Sequence, residues 1–212
     1  MSSEPPNSPQ RTITPRFPRS LFKGDVSERY REIVEAAATL FAERGYLATS
    51  VRDIGERVGL FGGALYHHIK SKDALFIAIH DLALQAAGDL IEEEIAAAVD
   101  PWQRLEIACI VLLEVQLDPA SLTMPLMNDF RAVPEEIRHH LVAKRDAFEQ
   151  IFVGLIAALP LDPALDRKLY RLLLLNLLNG VVAWYRKGVL SPADIGRQIL
   201  RIFRHEVISA SM

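Results

Sequence analysis

Residues 49–76 read TSVRDIGERVGLFGGALYHHIKSKDALF. In this stretch Ser50 is followed three residues later by Asp53, the spacing of a capping box that begins a helix. Apolar residues at helical spacing come next, and Gly59 is a typical helix terminator. A second short helix is predicted over 62–69. The stretch therefore predicts two short helices joined by a tight, glycine-containing turn.

Such a pair is a helix-turn-helix unit, and a third helix precedes it over 27–44. Its apolar stripe follows the i, i+3, i+4, i+7, i+8 pattern and comprises Ile33, Ala36, Ala37, Leu40 and Phe41. In a helix-turn-helix unit the second helix enters the major groove of DNA and the first crosses the phosphate backbone. We therefore predict a three-helix DNA-binding domain over 27–76.

The same residues closely resemble the DNA-binding region of TetR-family transcriptional regulators. The stretch LYHHIKSK, residues 65–72, matches the family's Leu-Tyr-x-x-Phe-x-x-Lys pattern, with Ile69 in the usual Phe place. The preceding AAATLFAERGYLATS continues the match, and the resemblance covers about residues 28–81. It implies an all-α regulator that binds double-stranded operator DNA.

The resemblance also implies a set of DNA-contacting residues: Thr49, Ser50, Arg52, Gly62, Gly63, Ala64, Tyr66, His67 and Lys72. The first three stand where hydroxyls, N–H groups and a guanidinium can hold phosphate. Tyr66 and Lys72 match the family's phosphate contacts, although Tyr66 could instead be a packing residue. His67 is expected to reach a phosphate or a base edge. The small Gly63 and Ala64 allow close approach, and the Ala64 methyl could press on a thymine.

One departure from the family stands at Phe61-Gly62-Gly63, where Ser-Lys-Gly or Ser-x-Gly is common. Paired glycines cost a helix about 1 kcal/mol each relative to Ala. We therefore expect a loose recognition helix with few base-reading side chains. Phe61 is interpreted as a plug of the turn rather than as a wedge into DNA. Shape readout, or a basic arm in the minor groove, is expected to supply some specificity.

That arm is residues 1–24, which hold five of the twelve prolines together with three arginines and one lysine. Prolines at this density prevent regular helix, so the arm is predicted to be flexible. Its charge belongs to a wider asymmetry. Residues 1–76 carry 11 Lys and Arg against 9 Asp and Glu, whereas residues 77–212 carry 13 against 18. The N-terminal part is thus mildly basic and the C-terminal part acidic, which suggests that the two parts have different functions.

Proline-containing helix starts mark the back of the chain, because proline suits the first helical position. These starts are Asp100-Pro101, Asp118-Pro119, Asp162-Pro163 and Ser191-Pro192. Pro134 precedes two glutamates and marks a further start. A long helix over 71–98 is expected to connect the predicted DNA-binding domain to the C-terminal part of the chain. No strand pattern is found, and the chain is predicted to be all-α with about nine helices.

Residues 169–185, LYRLLLLNLLNGVVAWY, are apolar nearly all round, and such a helix must be buried on all faces. Burial against a second subunit is the economical explanation. The resemblance implies a homodimer through the last two long helices, about 163–187 and 192–207, and hence a roughly palindromic operator. Asn176 and Asn179 would satisfy each other or backbone across this dimer, or Asn176 would help line an effector pocket.

The stretch 175–195 is similar to the C-terminal part of TetR regulators of fatty-acid, steroid or related acyl-CoA breakdown. This similarity implies a small-molecule effector of acyl-CoA or other lipid-like type. Effector binding and dimerisation are assigned to residues 77–212. The candidate effector-binding residues, which would suit an adaptable apolar pocket with one cation, are Met124, Met127, Phe130, Arg131 and Asn176.

Other classes of protein are disfavoured. Cys109 is the only cysteine, so no internal disulfide can form and a reducing cytoplasm is expected. No secretory signal or membrane-length apolar stretch is visible, and no metal or cofactor is expected. An all-α enzyme using His139-His140 or 92–94 (EEE) lacks a nucleophile-base set. An interaction module that keeps the helix-turn-helix as a scaffold is the other alternative.

Overall fold

A computed structural model describes residues 26–118, 133–188 and 190–208 of the 212-residue chain. Within these residues the chain forms seven α-helices and one 3-10 helix, and no strand. The helices are α1 (Glu28–Ala48), α2 (Val51–Arg57), the 3-10 helix (Gly62–His67), α3 (Lys72–Ile95), α4 (Pro101–Leu117), α5 (Glu135–Ala157), α6 (Arg167–Trp184) and α7 (Pro192–Ile208). The all-α prediction is confirmed; about nine helices were expected for the whole chain.

Most predicted helix starts are found. The Asp100 carboxylate accepts a 2.8 Å hydrogen bond from the N–H of Gln103 at the start of α4. The Ser191 hydroxyl does the same for Asp194 in α7, and α5 begins directly after Pro134. The predicted basic arm and the start at Asp118-Pro119 lie outside the described residues.

The start predicted at Asp162-Pro163 is wrong, because α6 begins four residues later at Arg167. The carboxylate of Asp166 accepts hydrogen bonds from the N–H groups of Lys168 and Leu169, which makes Asp166 the N-cap. Asp162 instead accepts from the N–H of Ala164 and closes a turn. The last two described helices therefore cover Arg167–Trp184 and Pro192–Ile208 rather than 163–187 and 192–207.

The first hydrophobic core joins α1, α2, the 3-10 helix and the beginning of α3. Its centre is aromatic, since the Phe76 ring lies 5.1 Å from the Phe41 ring and 4.9 Å from the Tyr46 ring, between centroids. Three residues from the beginning of α5 and the segment before it also belong to this core: Val133, Ile137 and Leu141. The N-terminal helices that form this core, called the head below, are thus packed directly on an element of the acidic C-terminal part.

The second hydrophobic core lies between the end of α3 and helices α4 to α7. Its fully buried members include Leu105, Leu113, Phe152 and Leu174. Cys109 is buried in the same core, and burial raises the pKa of its thiol, so this thiol is protonated and unreactive at neutral pH. α3 contributes side chains to both cores and is the structural link between them.

By length and composition alone, α3 is also apolar enough to cross a membrane. It packs against α1, α4 and α5, and the central helix of a two-core protein passes the same test. Burial against three other helices accounts for its apolar composition, and the helix is weak evidence for a membrane span.

Candidate nucleic-acid interface

The end of α1 fixes where the helix-turn-helix begins. Gly45 has φ of 81°, a left-handed conformation that favours glycine, and it kinks the helix. The hydroxyl of Thr49 is buried and donates hydrogen bonds to the carbonyls of Gly45, at 2.8 Å, and Leu40, at 3.2 Å. This hydroxyl therefore closes the end of α1 and is not presented to a phosphate in the structure.

The capping box predicted at the start of α2 is present. The hydroxyl of Ser50 accepts from the N–H of Asp53, at 3.1 Å, and the Asp53 carboxylate accepts from the N–H of Ser50, at 2.8 Å. The Ser50 hydroxyl also donates a 2.5 Å hydrogen bond to the Asp53 carboxylate, and this bond, followed by the one from the Ser50 N–H, lowers the pKa of Asp53 below its usual range. Arg52 is highly exposed next to this cap and forms a 2.7 Å ion pair with Glu56. Its guanidinium stands at the helix start, as predicted.

Two glycines shape the turn after α2. Gly59 has φ of 69°, which glycine adopts without strain. The chain after the turn contacts Gly55, because the N–H of Leu60 donates a 2.8 Å hydrogen bond to the Gly55 carbonyl. A Cβ atom at Gly55 would lie only 2.7 Å from the carbonyl oxygen of Leu60. The absence of a side chain at Gly55 therefore allows the turn to fold back on α2.

The recognition element is a 3-10 helix, Gly62–His67, in place of the predicted short helix over 62–69. The predicted inward residues Leu65 and Ile69 are buried. Gly63 and His67 are exposed on the other side, Ala64 is half-buried, and Tyr66 is 57% exposed. The exposure of Tyr66 argues against a packing role and leaves its hydroxyl accessible.

Phe61 is the N-cap residue of the 3-10 helix, and its side chain is 75% exposed. The interpretation of Phe61 as a plug of the turn is therefore wrong. Leu60, its neighbour, packs on the first core instead. The turn is closed by Leu60 and by the contact with Gly55, and the phenyl ring of Phe61 is left at the surface.

Lys72, a predicted phosphate contact, is held by the end of α1. Its ammonium group donates to the carbonyls of Tyr46, at 3.0 Å, and Thr49, at 3.1 Å, and lies 4.0 Å from the centre of the Tyr46 ring. The Tyr46 hydroxyl donates to Asp73, and its pKa is raised, first by burial and then by this carboxylate. Lys72 thus ties α3 to the end of α1.

A polar cluster joins α3 to α5. It was not predicted from the sequence. Asp81 accepts from His140 at 3.1 Å and forms an ion pair with Lys144 at 3.2 Å. The neighbouring His80 is buried, and burial lowers its pKa to about 4. The partners are about 60 residues apart in sequence, so only the fold brings them together.

The predicted effector residues are only partly placed. Met124, Met127, Phe130 and Arg131 lie outside the described residues. Asn176 is exposed on α6, where its amide donates a hydrogen bond to the Leu172 carbonyl one turn earlier. Asn179 accepts a 2.8 Å hydrogen bond from Gln116 of α4 within the chain.

A groove of about 660 Å³ lies between the end of α3, the start of α4 and the end of α5. It is mainly apolar, with Ile95, Ile151 and Leu155 among its lining, and Arg104 and Glu92 are its charged members. Asn176, the predicted effector residue that the structure describes, is not among its lining residues.

The outward face of α6 is apolar. Its inward residues, such as Leu174 and Leu178, are buried in the second core. Its exposed apolar side chains are Leu169, Leu172, Leu173, Leu177, Val182 and Trp184. α7 adds Ile202, which is 64% exposed. A contiguous apolar face of this kind is typical of a protein interface.

Comparison with known families accounts for both parts of the chain. Residues 33–79 match the model described as "Bacterial regulatory proteins, tetR family". Residues 98–207 match the model described as "Tetracyclin repressor-like, C-terminal domain". The chain belongs to the TetR family. It is a TetR-type DNA-binding transcriptional repressor, and this family consists of regulators rather than enzymes.

Individual relatives of known name align with this chain over most of their length. The chain is 29% identical to the transcriptional repressor KstR2 of Rhodococcus jostii, covering 83% of this chain and 89% of the relative. The structure of the ketosteroid regulator KstR2 of Mycobacterium tuberculosis superposes with a TM-score of 0.67 at 25% identity, covering 87% of this chain and 97% of that one. The fatty acid degradation regulator FadR of Bacillus halodurans shares the fold, with a TM-score of 0.72 at 18% identity over 84% and 96% of the two chains.

Proposed function

We propose that this TetR-type protein is a ligand-released repressor that binds a roughly palindromic operator as a homodimer in the cytoplasm. The observation that carries the proposal is the helix-turn-helix itself, whose exposed face holds Arg52, Tyr66 and His67 around a recognition element with its apolar side buried. A recognition helix of this kind enters the major groove while the preceding helix crosses the backbone.

Within residues 27–76, we assign phosphate contacts to Ser50, Arg52 and Tyr66, and a phosphate or base-edge contact to His67. Gly62, Gly63 and Ala64 allow the helix to approach the groove closely. Thr49 and Lys72 act by positioning, since their polar groups hold the end of α1. The arm over 1–24 would add contacts in the minor groove.

The homodimer is proposed to form through α6 and α7. The exposed leucines of α6 form a face that a second copy would bury, and a two-fold axis makes the same face serve both subunits. Such a dimer presents two recognition elements to two half-sites about one turn of DNA apart.

The effector is proposed to be an acyl-CoA or other lipid-like molecule bound within residues 77–212. Support comes from the similarity to the ketosteroid regulator KstR2 and from a solved fold neighbour, AibR, which was crystallised with isovaleryl coenzyme A and operator DNA. α5 touches both cores, so an effector that shifts α5 would also move the head. A coupling free energy of about 2.7 kcal/mol gives a 100-fold loss of operator affinity.

DNA binding is tested first by selecting an operator from a random duplex library and measuring its affinity at several salt concentrations. A steep, linear decrease of log affinity with log salt is expected, because bound phosphates release counterions. Tyr66→Phe removes one exposed hydroxyl and should weaken binding about tenfold. Tyr185→Phe, far from the head, is the matched control. Selection of no sequence, with no salt dependence, would contradict the proposal.

The effector is tested by thermal unfolding with CoA thioesters, free fatty acids, aromatic acids and steroids. A ligand at 100 times its dissociation constant stabilises the folded state by about 2.7 kcal/mol. A stabilising thioester should also release operator DNA, because the two ligands must weaken each other by the same factor. Stabilisation by steroids alone would retain a lipid-like effector and exclude the acyl-CoA one.

A further inference from the structure

Phe61 is an exposed aromatic residue that the contacts within the head do not explain. Its side chain is 75% exposed, and Phe61 is the N-cap of the recognition 3-10 helix without making a capping hydrogen bond. Most apolar residues near it are turned inward, as Leu60 and Leu65 are. The ring is thus left at the surface of the element that is to enter the DNA groove.

Phe61 stands at the N-terminal end of the recognition element. Residues at the N-terminal end of a recognition helix are the ones that reach the bases. At this end Phe61 has no competing side chain, because Gly62 and Gly63 follow it, and a Cβ atom at Gly63 would meet only open space. The phenyl ring is the largest group that this end can present to DNA.

A shared cleft locates Phe61 on the same face as the proposed phosphate contacts. Phe61, Tyr66 and Arg52 all line one surface cleft of about 480 Å³ between α2 and the 3-10 helix. Arg52 stands at the start of α2, which would cross the backbone. A ring on this face, beside these two groups, is directed at the duplex when they bind phosphate.

The apolar character of the Phe61 ring determines which groups of DNA it can contact favourably. A phenyl group has no donor or acceptor for the polar base edges. The apolar feature of the major groove is the C5-methyl group of thymine. We infer that Phe61 is a specificity-determining residue that reads thymine in each half-site through its methyl group. This inference rests on the proposed function and names the base that the DNA-binding site prefers.

The test is a thermodynamic cycle on the selected operator. Each thymine of a half-site is replaced in turn by uracil, which pairs identically but lacks the methyl group. Burying one methyl group is worth about 0.8 kcal/mol, or about fourfold in affinity. At one thymine position, replacement by uracil should therefore lower the affinity of the wild-type protein about fourfold. Replacement in both half-sites should lower it about sixteenfold. Phe61→Ala should bind the thymine and uracil operators equally.

Two matched variants assign the effect to the ring. Phe61→Leu keeps an apolar side chain and should retain part of the uracil penalty. Ala64→Gly removes the methyl group that is the other candidate thymine contact, and the uracil penalty that belongs to Phe61 should remain in this variant. Unfolding in urea should be unchanged for Phe61→Ala, because its ring is exposed. A wild-type protein indifferent to uracil at every position, or a penalty lost in Ala64→Gly but kept in Phe61→Ala, would overturn the inference.

Two further outcomes separate the inference from the proposed function. If the chain selects an operator with steep salt dependence but shows no uracil penalty, the repressor function stands and the role of Phe61 is overturned. A rise in 2-aminopurine fluorescence at a base step that requires Phe61, without a uracil penalty, would replace methyl readout by insertion between bases. If no DNA is selected at all, both proposals fail.

Discussion

The ammonium group of Lys72 donates a 3.0 Å hydrogen bond to the backbone carbonyl of Tyr46 and lies 4.0 Å from the centre of its ring. A second hydrogen bond of 3.1 Å reaches the carbonyl of Thr49. The last carbonyls of a helix have no partner within the helix, so a cation placed there satisfies them. Lys72 therefore stabilises the junction between α1 and α3 before any DNA is bound.

We expect Lys72→Met to lower the free energy of unfolding by about 1–2 kcal/mol, because it removes two hydrogen bonds and a cation–π contact from a half-buried position. Urea unfolding monitored by circular dichroism measures this directly. Lys70→Met, two residues away and exposed, is the control and should leave the unfolding midpoint unchanged. An unchanged midpoint for Lys72→Met, with reduced DNA affinity, would instead assign Lys72 to phosphate contact alone.

Gly55 is expected to be the least replaceable residue of the helix-turn-helix. In Gly55→Ala the new methyl group would meet the Leu60 carbonyl oxygen at 2.7 Å, and that atom belongs to the backbone and cannot rotate away. We predict that the free energy of unfolding decreases by about 2 kcal/mol. Operator binding should be lost as well. Gly63→Ala faces open space and should leave stability unchanged or slightly raised. Equal effects of the two substitutions would contradict this account of the turn.

The apolar face of α6 leads to a prediction about assembly. Leu173→Glu places a charge on an outward residue that is 52% exposed in the single chain. We expect the variant to be a monomer by sedimentation and to lose operator affinity, since it can no longer present two heads. Val99→Glu adds the same charge at a residue that is 91% exposed outside this face, and should remain dimeric. A dimeric Leu173→Glu protein would exclude α6 from the interface.

How much of this could be predicted from the sequence depends on the range of the interaction. The capping box at Ser50 and the burial of Leu65 and Ile69 follow from spacings of three or four residues, and the structure confirms them. The role of Lys72 could not be predicted, because its acceptor carbonyls lie 26 and 23 residues earlier in the chain. Sequence similarity to a phosphate-contacting lysine gave no indication of this positioning role.

The start of α6 illustrates the same limit. Asp162 and Asp166 are both good N-cap residues, and the first is followed by proline. The choice is made by a tertiary contact, since the Arg167 guanidinium donates to the carbonyls of Ile156, at 2.6 Å, and Leu159, at 3.2 Å. That contact ties the beginning of α6 to the end of α5, and it depends on how two helices pack.

His80 leads to a prediction about acid stability. It is buried on α3, and burial lowers its pKa from 6.5 to about 4. Asp81 opposes this shift, whereas His140 and Arg145 of α5 add to it. Between pH 6.5 and 4 the unfolded chain therefore binds a proton that the folded chain does not. The free energy of unfolding should decrease as the pH falls through this window, by on the order of 2–3 kcal/mol.

Urea unfolding at intervals from pH 7.5 to 4.5 tests this for the wild type and for His80→Gln, which keeps a polar side chain of similar size. Because glutamine does not titrate, the variant should lose less stability on acidification, whatever its stability at neutral pH. His139→Gln, on the exposed side of α5, should keep the wild-type slope. If His80→Gln also kept that slope, the acid sensitivity would lie in other groups, and the junction of α3 with α5 would not be its source.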